Sequence, residues 1–502
     1  MVTLKRIFLT LIIISVLIGS IFLYYEIYDN PIFSILSIIS ALFVAVIIFF
    51  ENRHPSSTIA WLILLAILPF VGFIIYLLIG QNYRKKRKFN RKALADEEAF
   101  TRIVGNKELI LSKMSEMGDH QHLFFKLAQK LGKSPISFST ESKILTNGEE
   151  KFSLLLKALR NAKEHIHLEY YIVRDDGIGK EIKDILIQKV KEGVEVRFLY
   201  DAVGSLRLSR EYVAELRREG VQMVPFFPVR LPFFNQKINF RNHRKIVVVD
   251  GDIGFVGGLN IGDEYLGKNP SFGHWRDTHL FIKGEAVRSL QLIFVRDWYH
   301  MTGETLLTPK YLSPTPTDEN HGGVQMVAGG PDSEWEVIKN LYFSMIISAK
   351  KTIWIASPYF IPDPEISTAL KIAALSGLDV RILVPNKPDK RTVFFASRSY
   401  FPDLLRAGVK VYEYTKGFMH SKIVIVDNEL ASIGTCNMDM RSFHLNFEVN
   451  AFLFRTKSTL KLVEDYKKDI EDSKELTLDD FNNRKLKYRV LESLSRLLSP
   501  LL

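Results

Sequence analysis

Cysteine is almost missing from this sequence, because Cys436 is the single cysteine among 502 residues. One thiol excludes an intrachain disulfide and a cysteine-rich metal site, and it fits a reducing compartment. The sequence also offers no other compact set of histidine and carboxylate ligands. We therefore expect no resident metal ion and no cofactor.

Acidic residues are the minority among the charged ones. Lys and Arg total 67 against 56 Asp and Glu, which gives a formal net charge of +11. Such a balance draws a protein towards anionic surfaces, of which nucleic acid and acidic lipid headgroups are the common ones. Charge alone does not choose between these two classes of partner. A chain of this length has room for two or three domains with buried cores.

Charged residues are nearly absent from the first part of the chain, where apolar runs occupy positions 7–24, 31–50 and 59–79. The first two are close to the ~20 residues that a membrane-spanning helix needs. A cleaved signal peptide is the alternative for the first run, since Lys5 and Arg6 precede it. No small-x-small cleavage site follows it, and a second long apolar run does. We expect a permanent membrane anchor over residues 1–92.

The third apolar run differs from the others because Pro69 and Gly72 lie near its middle and divide it into halves too short to span. The loop between the first two runs carries no Lys or Arg, whereas seven basic residues follow the third run within 84–92. The positive-inside rule then places everything after residue 84 in the cytoplasm. We expect two spans and a re-entrant or interfacial hairpin at 59–79. Three full spans with an external N-terminus are the alternative.

The remainder of the chain looks like an α/β protein written twice. After a polar connector over 93–133, the first unit covers 134–310 and the second 325–480, and an amphipathic helix follows at 481–502. The run "GVEVRFLYD" of the first unit corresponds to "GLDVRILVPN" of the second, and each unit then has a strand introduced by Gly220 or Gly408. Alternating helices and strands predict a mixed β-sheet flanked by helices in each unit. A repeat of about 180 residues is typical of a duplicated domain, since solenoid repeats are much shorter.

Each unit ends in one copy of the pattern His-x-Lys-x-x-x-x-Asp. The copies lie in "NHRKIVVVDGDIGFVGGLN" and "MHSKIVIVDNELASIGTCN" and consist of His243, Lys245, Asp250 and of His420, Lys422, Asp427. The β-branched residues that follow each lysine predict strands. On a strand, residues i and i+2 share a face about 7 Å apart, so the imidazole and the ammonium can reach one phosphate. The two aspartates end their strands, and we expect them to support the loops without touching substrate.

Two asparagines repeat with the motifs, because Asn260 and Asn437 each follow their histidine by 17 residues, behind a turn of small residues. We expect small residues to let the next strand lie close and to aim each amide at the same phosphate. Two histidines from two units suggest divided labour: one attacks phosphorus and forms a phosphohistidine, and the other protonates the leaving alkoxide. The two lysines and two asparagines supply positive potential and donors, so this mechanism needs no metal.

These paired motifs resemble the phospholipase D superfamily, and the chain as a whole resembles the membrane-anchored bacterial cardiolipin synthases. The likeness extends from "PSSTIAWLILLAILPFVGFIIYLLIGQN" through "HWRDTHLFIKGEAV" and "SPYFIPD" to "GTCNMDMRSFHLNFEV". It implies two domains related by a pseudo-twofold axis behind N-terminal transmembrane helices. It also implies a multi-pass protein of the bacterial cell membrane whose catalytic domain is cytoplasmic.

The same resemblance implies an activity and roles for individual residues. Members of the family join two phosphatidylglycerol molecules into cardiolipin and release glycerol. By that resemblance His243 is the nucleophile and His420 the acid and base. Glu448, which follows His420 by 28 residues, matches the carboxylate that accepts a bond from the second ring nitrogen, and Asp277 in "HWRDTH" is its first-half counterpart. Cys436 stands where we expect Gly, Ala or Ser, and we interpret it as a small buried residue.

The sequence is also compatible with two other functions. Water as the acceptor would make the protein a phospholipase D that releases phosphatidic acid, and decayed motifs would leave a non-catalytic lipid-binding scaffold. The membrane anchor favours anionic lipid over nucleic acid as the partner, and the oligomeric state is not predicted.

Two further segments carry predictions about lipid. The aromatic and basic stretch at 225–241 is interpreted as a lipid contact or as an ordinary packed loop. The helix at 481–502 has Leu486, Val490, Leu494 and Leu497 on one face with basic residues nearby, which suits either an interfacial helix or docking on the catalytic core.

Overall fold

The structure is a computed structural model of the whole chain, and it describes residues 31–50, 55–67, 72–73, 76, 107–228, 239–317 and 322–502. These residues belong to two compact units, an N-terminal helical unit and a body that begins at residue 107. The span predicted at 7–24, the basic cluster within 84–92 and positions 229–238 of the aromatic stretch lie outside the described residues.

The N-terminal unit contains helices α1 (Pro31–Phe50) and α2 (Pro55–Ile67). Val44, Ile48, Leu65 and Tyr76 form a small apolar core between them and the residues that follow. Among the described positions, no helix is both long enough and apolar enough to cross a membrane. The predicted transmembrane helices are therefore not confirmed.

The described part of the third apolar run folds back on itself. Helix α2 ends at Ile67, and Gly72 lies so close to it that an added Cβ would be 3.0 Å from the carbonyl oxygen of Leu64. The rings of Trp61 and Tyr76 meet edge to face with 5.5 Å between their centroids. A continuous helix would hold residues eight positions apart about 12 Å apart along its axis, so Gly72 and Tyr76 lie back against α2 and do not extend it.

The body alternates helices and strands along the chain. Its helices are α3 (Lys107–Ser115), α4 (Asp119–Gly132), α5 (Asn147–Asn161), α6 (Gly177–Lys191), α7 (Arg210–Arg218), α8 (Ala286–Thr302), α9 (Pro309–Leu312), α10 (Val337–Ser348), α11 (Pro364–Leu375), α12 (Arg391–Arg398), α13 (Phe401–Arg406), α14 (Met440–His444), α15 (Lys457–Glu471), α16 (Leu478–Asn482) and α17 (Leu486–Leu497). Short 3-10 helices lie at Asp263–Leu266 and Ser499–Leu501.

The strands of the body are β1 (Thr140–Thr146), β2 (His165–Tyr170), β3 (Glu195–Asp201), β4 (Gln222–Phe226), β5 (Arg241–Asn242), β6 (Ile246–Val249), β7 (Ile253–Gly257), β8 (His274–Arg276), β9 (Thr278–Gly284), β10 (Gly323–Gly329), β11 (Thr352–Ala356), β12 (Phe360–Ile361), β13 (Asp379–Pro385), β14 (Lys410–Tyr414), β15 (Gly417–Met419), β16 (Ile423–Val426), β17 (Leu430–Gly434), β18 (Met438–Asp439), β19 (Asn446–Phe454) and β20 (Ser473–Leu476).

The two halves of the body have the same sheet topology. The first sheet has the order β1-β9-β7-β6-β2-β3-β4, and the second has β10-β19-β17-β16-β11-β13-β14 with β20 added at its edge. The strands β2, β3 and β4 of the first sheet are parallel to one another, as are β11, β13 and β14 of the second. The other pairs in this shared order are antiparallel. The predicted duplication of a mixed sheet flanked by helices is confirmed.

The two sheets pack face to face, and helices cover their outer faces. Val248 of β6 and Ile425 of β16 belong to one buried cluster that both sheets share. Their neighbours Val247 and Val424 point the other way, into two separate clusters beneath the helices. Because side chains alternate between the faces of a strand, burial of both faces explains why these motif strands are continuously apolar.

The motif aspartates fix the ends of these strands, as expected from the sequence. Asp250 has φ 51° and its carboxylate accepts hydrogen bonds from the backbone N–H groups of three successive residues, 163 to 165. Asp427 has φ 53° and accepts from the N–H groups of residues 350 to 352. Both carboxylates therefore hold the start of the neighbouring strand, which is the supporting role expected of them.

The described part of the aromatic stretch is packed rather than lipid-facing. Phe226 and Phe227 are fully buried, and the ring of Phe226 lies 5.3 Å from that of Phe447. Arg241 is also buried and forms an ion pair of 3.1 Å with Asp201. The lipid-contact interpretation is therefore wrong for these three residues, because the other half of the body covers them.

Candidate active site

Two short strands that pair across the halves bring the motif histidines together. Strand β5 pairs in parallel with residues 446–447 of β19, and β15 pairs in parallel with β8. Each pairing continues into a histidine: the N–H of His243 donates to the carbonyl of Phe447 at 2.9 Å, and that of His420 to Arg276 at 2.7 Å. Both motifs are thus anchored on the opposite half by the same backbone contact.

The ring of His243 is oriented by two acceptors from the second half. Its Nδ1 lies 3.0 Å from Oε2 of Glu448 and 3.1 Å from the carbonyl oxygen of Thr435. A carbonyl oxygen accepts hydrogen bonds and never donates them, so Nδ1 carries the proton. The lone pair of the neutral ring is consequently on Nε2, the nitrogen that remains for chemistry.

The ring of His420 is oriented by the first half. Its Nδ1 lies 2.6 Å from Oδ2 of Asp277, and the Trp275 ring centroid lies 5.0 Å from its own. The sequence associates each carboxylate with the histidine of its own half, and the structure exchanges these partners. The two histidines, Glu448 and Asp277 therefore form one site to which both halves contribute.

The two motif lysines are buried beside the histidines. Lys245 donates to the carbonyl of His243 and Lys422 to that of His420, each at 2.5 Å, and Lys422 Nζ also lies 3.0 Å from Nδ1 of His420. Burial lowers the pKa of Lys245 to about 7 and that of Lys422 to about 8, although Glu448 and Asp277 oppose the shift. An anionic substrate would favour the charged form of both lysines.

The electrostatics of the two histidine–carboxylate pairs are unequal. Burial raises the pKa of Glu448 to about 7 against the opposing charge of Lys245. Burial acts in the same direction on Asp277, but His420 and Lys422 outweigh it and hold the pKa of Asp277 below its usual value. At neutral pH Asp277 is an anion, whereas Glu448 is partly protonated.

Both histidines are neutral in the free site. Burial and the charges of Lys245 and Lys422 lower the pKa of His243 well below its ordinary value. Burial and Lys422 lower the pKa of His420 to about 4, although Asp277 opposes the shift.

The motif asparagines are buried in loops around the site. Asn260 accepts from the N–H of Ile172 at 3.0 Å and donates to the hydroxyl of Tyr265 at 3.1 Å. Asn437 donates to Asp439 at 3.0 Å. An amide nitrogen has two protons, and in each asparagine one of them is engaged by the protein. Contact of the second proton with a phosphate remains a prediction.

Small residues in the motif turns permit the close approaches that the sequence predicts. A Cβ added to Gly258 would lie 2.0 Å from Oδ1 of Asp277, and one added to Gly434 would lie 2.4 Å from Oδ1 of Asn450. The first of these contacts concerns the carboxylate that orients His420. A side chain at Gly258 would therefore displace a partner of the histidine rather than a phosphate ligand.

Arg244 is a residue of the site that the sequence did not reveal. It is buried, forms an ion pair with Asp297 and donates to the carbonyl oxygens of Glu448 at 3.1 Å and Gly329 at 3.2 Å. It thereby holds the backbone that carries the carboxylate of His243. The sequence contains a signal for this role. A charged residue between the motif His and Lys must point to the opposite, inner face of the strand.

Cys436 fits its interpretation as a small buried residue. Cys436 is buried, and burial raises the pKa of its thiol well above the ordinary value, so the thiol stays protonated. Within the residues that the structure describes, no group of three or more His, Cys, Asp or Glu side chains is arranged to hold a metal ion.

Comparisons with known proteins give a consistent match. The family described as "Cardiolipin synthase, PLD-like domain" matches residues 155–298 and 342–471, and "Phospholipase_D-nuclease N-terminal" matches 33–81. Cardiolipin synthase of Halalkalibacterium halodurans is 65% identical over 471 residues, which are 94% of each chain. Cardiolipin synthase 2 of Bacillus cereus is 64% identical over 92% of this chain and 90% of its own.

Solved structures share the fold at much lower identity. The crystal structure of phosphatidylserine synthase from Haemophilus influenzae covers 76% of this chain and 100% of its own, with a TM-score of 0.57 and 16% identity.

Proposed function

The chain belongs to the family of cardiolipin synthases with phospholipase D-like domains, and from this premise we propose that it transfers a phosphatidyl group between two phosphatidylglycerol molecules, giving cardiolipin and glycerol. One observation carries the assignment of roles. Each motif histidine has its Nδ1 bonded to a carboxylate of the other half, while two buried lysines stand beside the rings.

In the first step, Nε2 of His243 attacks the phosphorus of one phosphatidylglycerol. A P–N bond forms, the P–O bond to the glycerol headgroup breaks, and His420 gives its Nε2 proton to the departing oxygen. Lys245 and Lys422 balance the negative charge of the phosphoryl oxygens during the transfer. Glycerol leaves, and the phosphatidyl group stays on His243.

The unequal carboxylates support this division of labour. A nucleophile must be neutral, and the partner of His243 is a carboxyl group with a pKa of about 7, so it stabilises an imidazolium only weakly. An acid must be protonated before it can act, and the anion Asp277 stabilises the imidazolium of His420. A bound phosphodiester adds one more negative charge and favours that protonated state.

In the second step the roles of His420 reverse. Neutral His420 takes the proton from a glycerol hydroxyl of a second phosphatidylglycerol, whose oxygen attacks the phosphorus. The P–N bond breaks, His243 is regenerated, and the new P–O bond completes cardiolipin. Water in place of the lipid hydroxyl would give phosphatidic acid by the same chemistry.

We also propose that the N-terminal unit anchors the protein in the bacterial cell membrane by two spans and a hairpin, with the body in the cytoplasm. The apolar runs at 7–24 and 31–50 and the basic residues at 84–92 support this arrangement. On α1, the side chains of Leu42, Phe43 and Phe49 are exposed. The back-folded segment around Gly72 favours the hairpin over a third span.

The test uses the full chain reconstituted in vesicles of phosphatidylglycerol alone, with a chelator present. The expected products are cardiolipin and glycerol in equal amounts, and His243→Ala should remove both. His120→Ala changes an exposed histidine and serves as the matched control. Phosphatidic acid as the main product would replace the synthase with a hydrolase, and an absence of any product would leave a lipid-binding scaffold.

A further inference from the structure

The C-terminal helix α17 is attached to the body by its polar side. Glu492 and Ser495 are its buried residues, and Glu492 forms an ion pair of 2.9 Å with Arg484. An amphipathic helix on a water-soluble protein normally buries its apolar stripe and exposes its charges. Helix α17 does the opposite.

The apolar side chains of α17 point away from the body. Leu486, Val490, Leu494 and Leu497 recur at helical spacing and are 73%, 48%, 57% and 76% exposed, and we call these four residues the leucine face. Lys485, Lys487 and Arg489 are exposed on the same stretch of chain. A contiguous apolar surface bordered by basic side chains is the composition of helices that lie in a membrane interface.

The helix is held in place rather than trailing from the protein. Arg496 donates to the carbonyl oxygen of Ser399 at 3.1 Å, and its guanidinium lies 4.5 Å from the centroid of the Tyr400 ring. The hydroxyl of Tyr400 in turn donates to the hydroxyl of Ser499 at 3.1 Å. These contacts fix the direction of the leucine face relative to the segment that follows α12.

Helix α12 connects this region to the catalytic residues. The loop before it carries Asp389, which accepts a hydrogen bond from Tyr359, and Lys390. Ser397 of α12 accepts a hydrogen bond from the N–H of Phe360 at 3.1 Å, and Phe360 of β12 pairs with Met438 of β18, the residue that follows Asn437. The support on which α17 rests is therefore continuous with the rim of the site.

We propose that the leucine face of α17 inserts into the interface of an anionic bilayer and docks the rim of the active site on the lipid surface. The membrane contact stands on the exposed face and its basic border. Its purpose, delivery of lipid to the site, rests on the proposed function. The basic border selects an anionic lipid surface over a neutral one, because each nearby Lys or Arg contributes to attraction by acidic headgroups.

The docking test places a fluorophore on the leucine face of the full chain. Cys436 is buried, so a cysteine introduced at the surface is labelled selectively. Val490→Cys carries an environment-sensitive dye, and Leu375→Cys on α11, an exposed leucine outside the C-terminal helix, is the matched control. Vesicles of equal parts phosphatidylglycerol and phosphatidylcholine contain a spin-labelled lipid that quenches dyes in the interface.

The expected result is quenching at position 490 that is at least threefold stronger than at position 375, and weaker in vesicles of phosphatidylcholine alone. Equal quenching at the two positions would overturn the proposal. A dye at position 490 that forms excimers between protein molecules, without quenching by lipid, would also overturn it, because a second copy would then cover the face.

A kinetic test links docking to turnover. Leu494→Ser with Leu497→Ser should raise KM for phosphatidylglycerol in vesicles about tenfold or more, since two exposed leucines no longer partition into lipid. The kcat on a dispersed short-chain phosphatidylglycerol should stay unchanged, which also shows that the variant folds. An unchanged KM in vesicles contradicts the proposal.

The two proposals fail separately. Quenching without any cardiolipin overturns the proposed function and leaves the docking intact, and cardiolipin formation without quenching does the reverse.

Discussion

Each motif histidine is bonded to a carboxylate of the other half of the body. This pairing predicts that Asp277→Asn and Glu448→Gln impair different steps. Asp277 follows His243 in the chain but lies 2.6 Å from Nδ1 of His420. Asp277→Asn should therefore impair His420, the general acid. Glu448 lies 3.0 Å from Nδ1 of His243 and should affect the nucleophile. Both substitutions preserve shape and replace a carboxyl group by an amide that still accepts a hydrogen bond.

The sizes of the two effects follow from the charges. An opposite charge at this distance raises the pKa of a histidine by about 1–3 units, so Asp277→Asn should lower the population of protonated His420 about 100-fold. At pH 7 the carboxyl group of Glu448, with its pKa of about 7, carries about half a charge on average. Glu448→Gln should therefore slow attack by His243 less than about tenfold.

The pH dependence provides a second signature. Glu448 becomes an anion as the pH rises through about 7, and the anion makes His243 a stronger nucleophile. The rate of intermediate formation should therefore rise through this pH range, and Glu448→Gln should flatten the rise.

The assay uses a phosphatidyl ester of p-nitrophenol, whose leaving group departs without an acid. Asp277→Asn and His420→Ala should then release a burst of p-nitrophenolate at nearly the wild-type rate, followed by slow turnover, because the second step still needs a base. Glu448→Gln should keep its modest defect in the burst, and His243→Ala should show no burst. The exchanged pairing would be refuted if the p-nitrophenyl ester restored the burst rate of Glu448→Gln but not that of Asp277→Asn.

Three further substitutions test other parts of the site. Arg244→Ala should lower the free energy of unfolding by about 3–5 kcal/mol, as measured by denaturant titration, because it removes the buried guanidinium that balances the charge of Asp297. Asp250→Asn should cost about 1.5–3 kcal/mol, since its carboxylate accepts from three backbone N–H groups, while kcat of the folded enzyme stays within about threefold. A larger loss of kcat would show that Asp250 takes part in catalysis. Burial lowers the pKa of Lys245 from 10.5 to about 7, so between these values the unfolded chain binds more protons and stability rises with pH. Lys245→Met should flatten that rise in pH-dependent thermal unfolding and abolish turnover, and an unaltered rise would contradict the burial of a lysine with this pKa.

Much of the fold could be predicted because it is encoded in local patterns. The apolar runs after Lys245 and Lys422 predict strands, and the structure has β6 and β16 there. Repetition of helix and strand along the two halves predicts the duplicated sheet. The roles of Asp250 and Asp427 also followed from the preference of aspartate for turns.

The partners of the histidines could not be predicted, because nothing local encodes them. Strands β5 and β15 are two and three residues long, and each pairs with a segment about 140 to 200 residues away. The motif identifies the residues, but the contact between the halves determines which carboxylate bonds to which imidazole ring. Resemblance supplied Glu448 and Asp277 as candidates for orienting the histidines and left their pairing to the tertiary structure.

The C-terminal helix shows a similar limit. Its periodicity predicts one apolar face, and the choice between a core and a membrane interface depends on which side docks. That choice depends on the buried ion pair of Glu492 with Arg484 and on the contacts of Arg496 with Ser399 and Tyr400. None of these contacts has a signature in the spacing of apolar residues.

Trapping the covalent intermediate tests the central claim most directly. Asp277→Asn enzyme, quenched after the burst with the p-nitrophenyl ester, should carry one phosphatidyl group on His243, attached through Nε2, because Nδ1 is bonded to Glu448 and Thr435. Peptide mass spectrometry identifies the residue, and NMR distinguishes the two ring nitrogens. An adduct on His420, or one on Nδ1 of His243, would contradict the account.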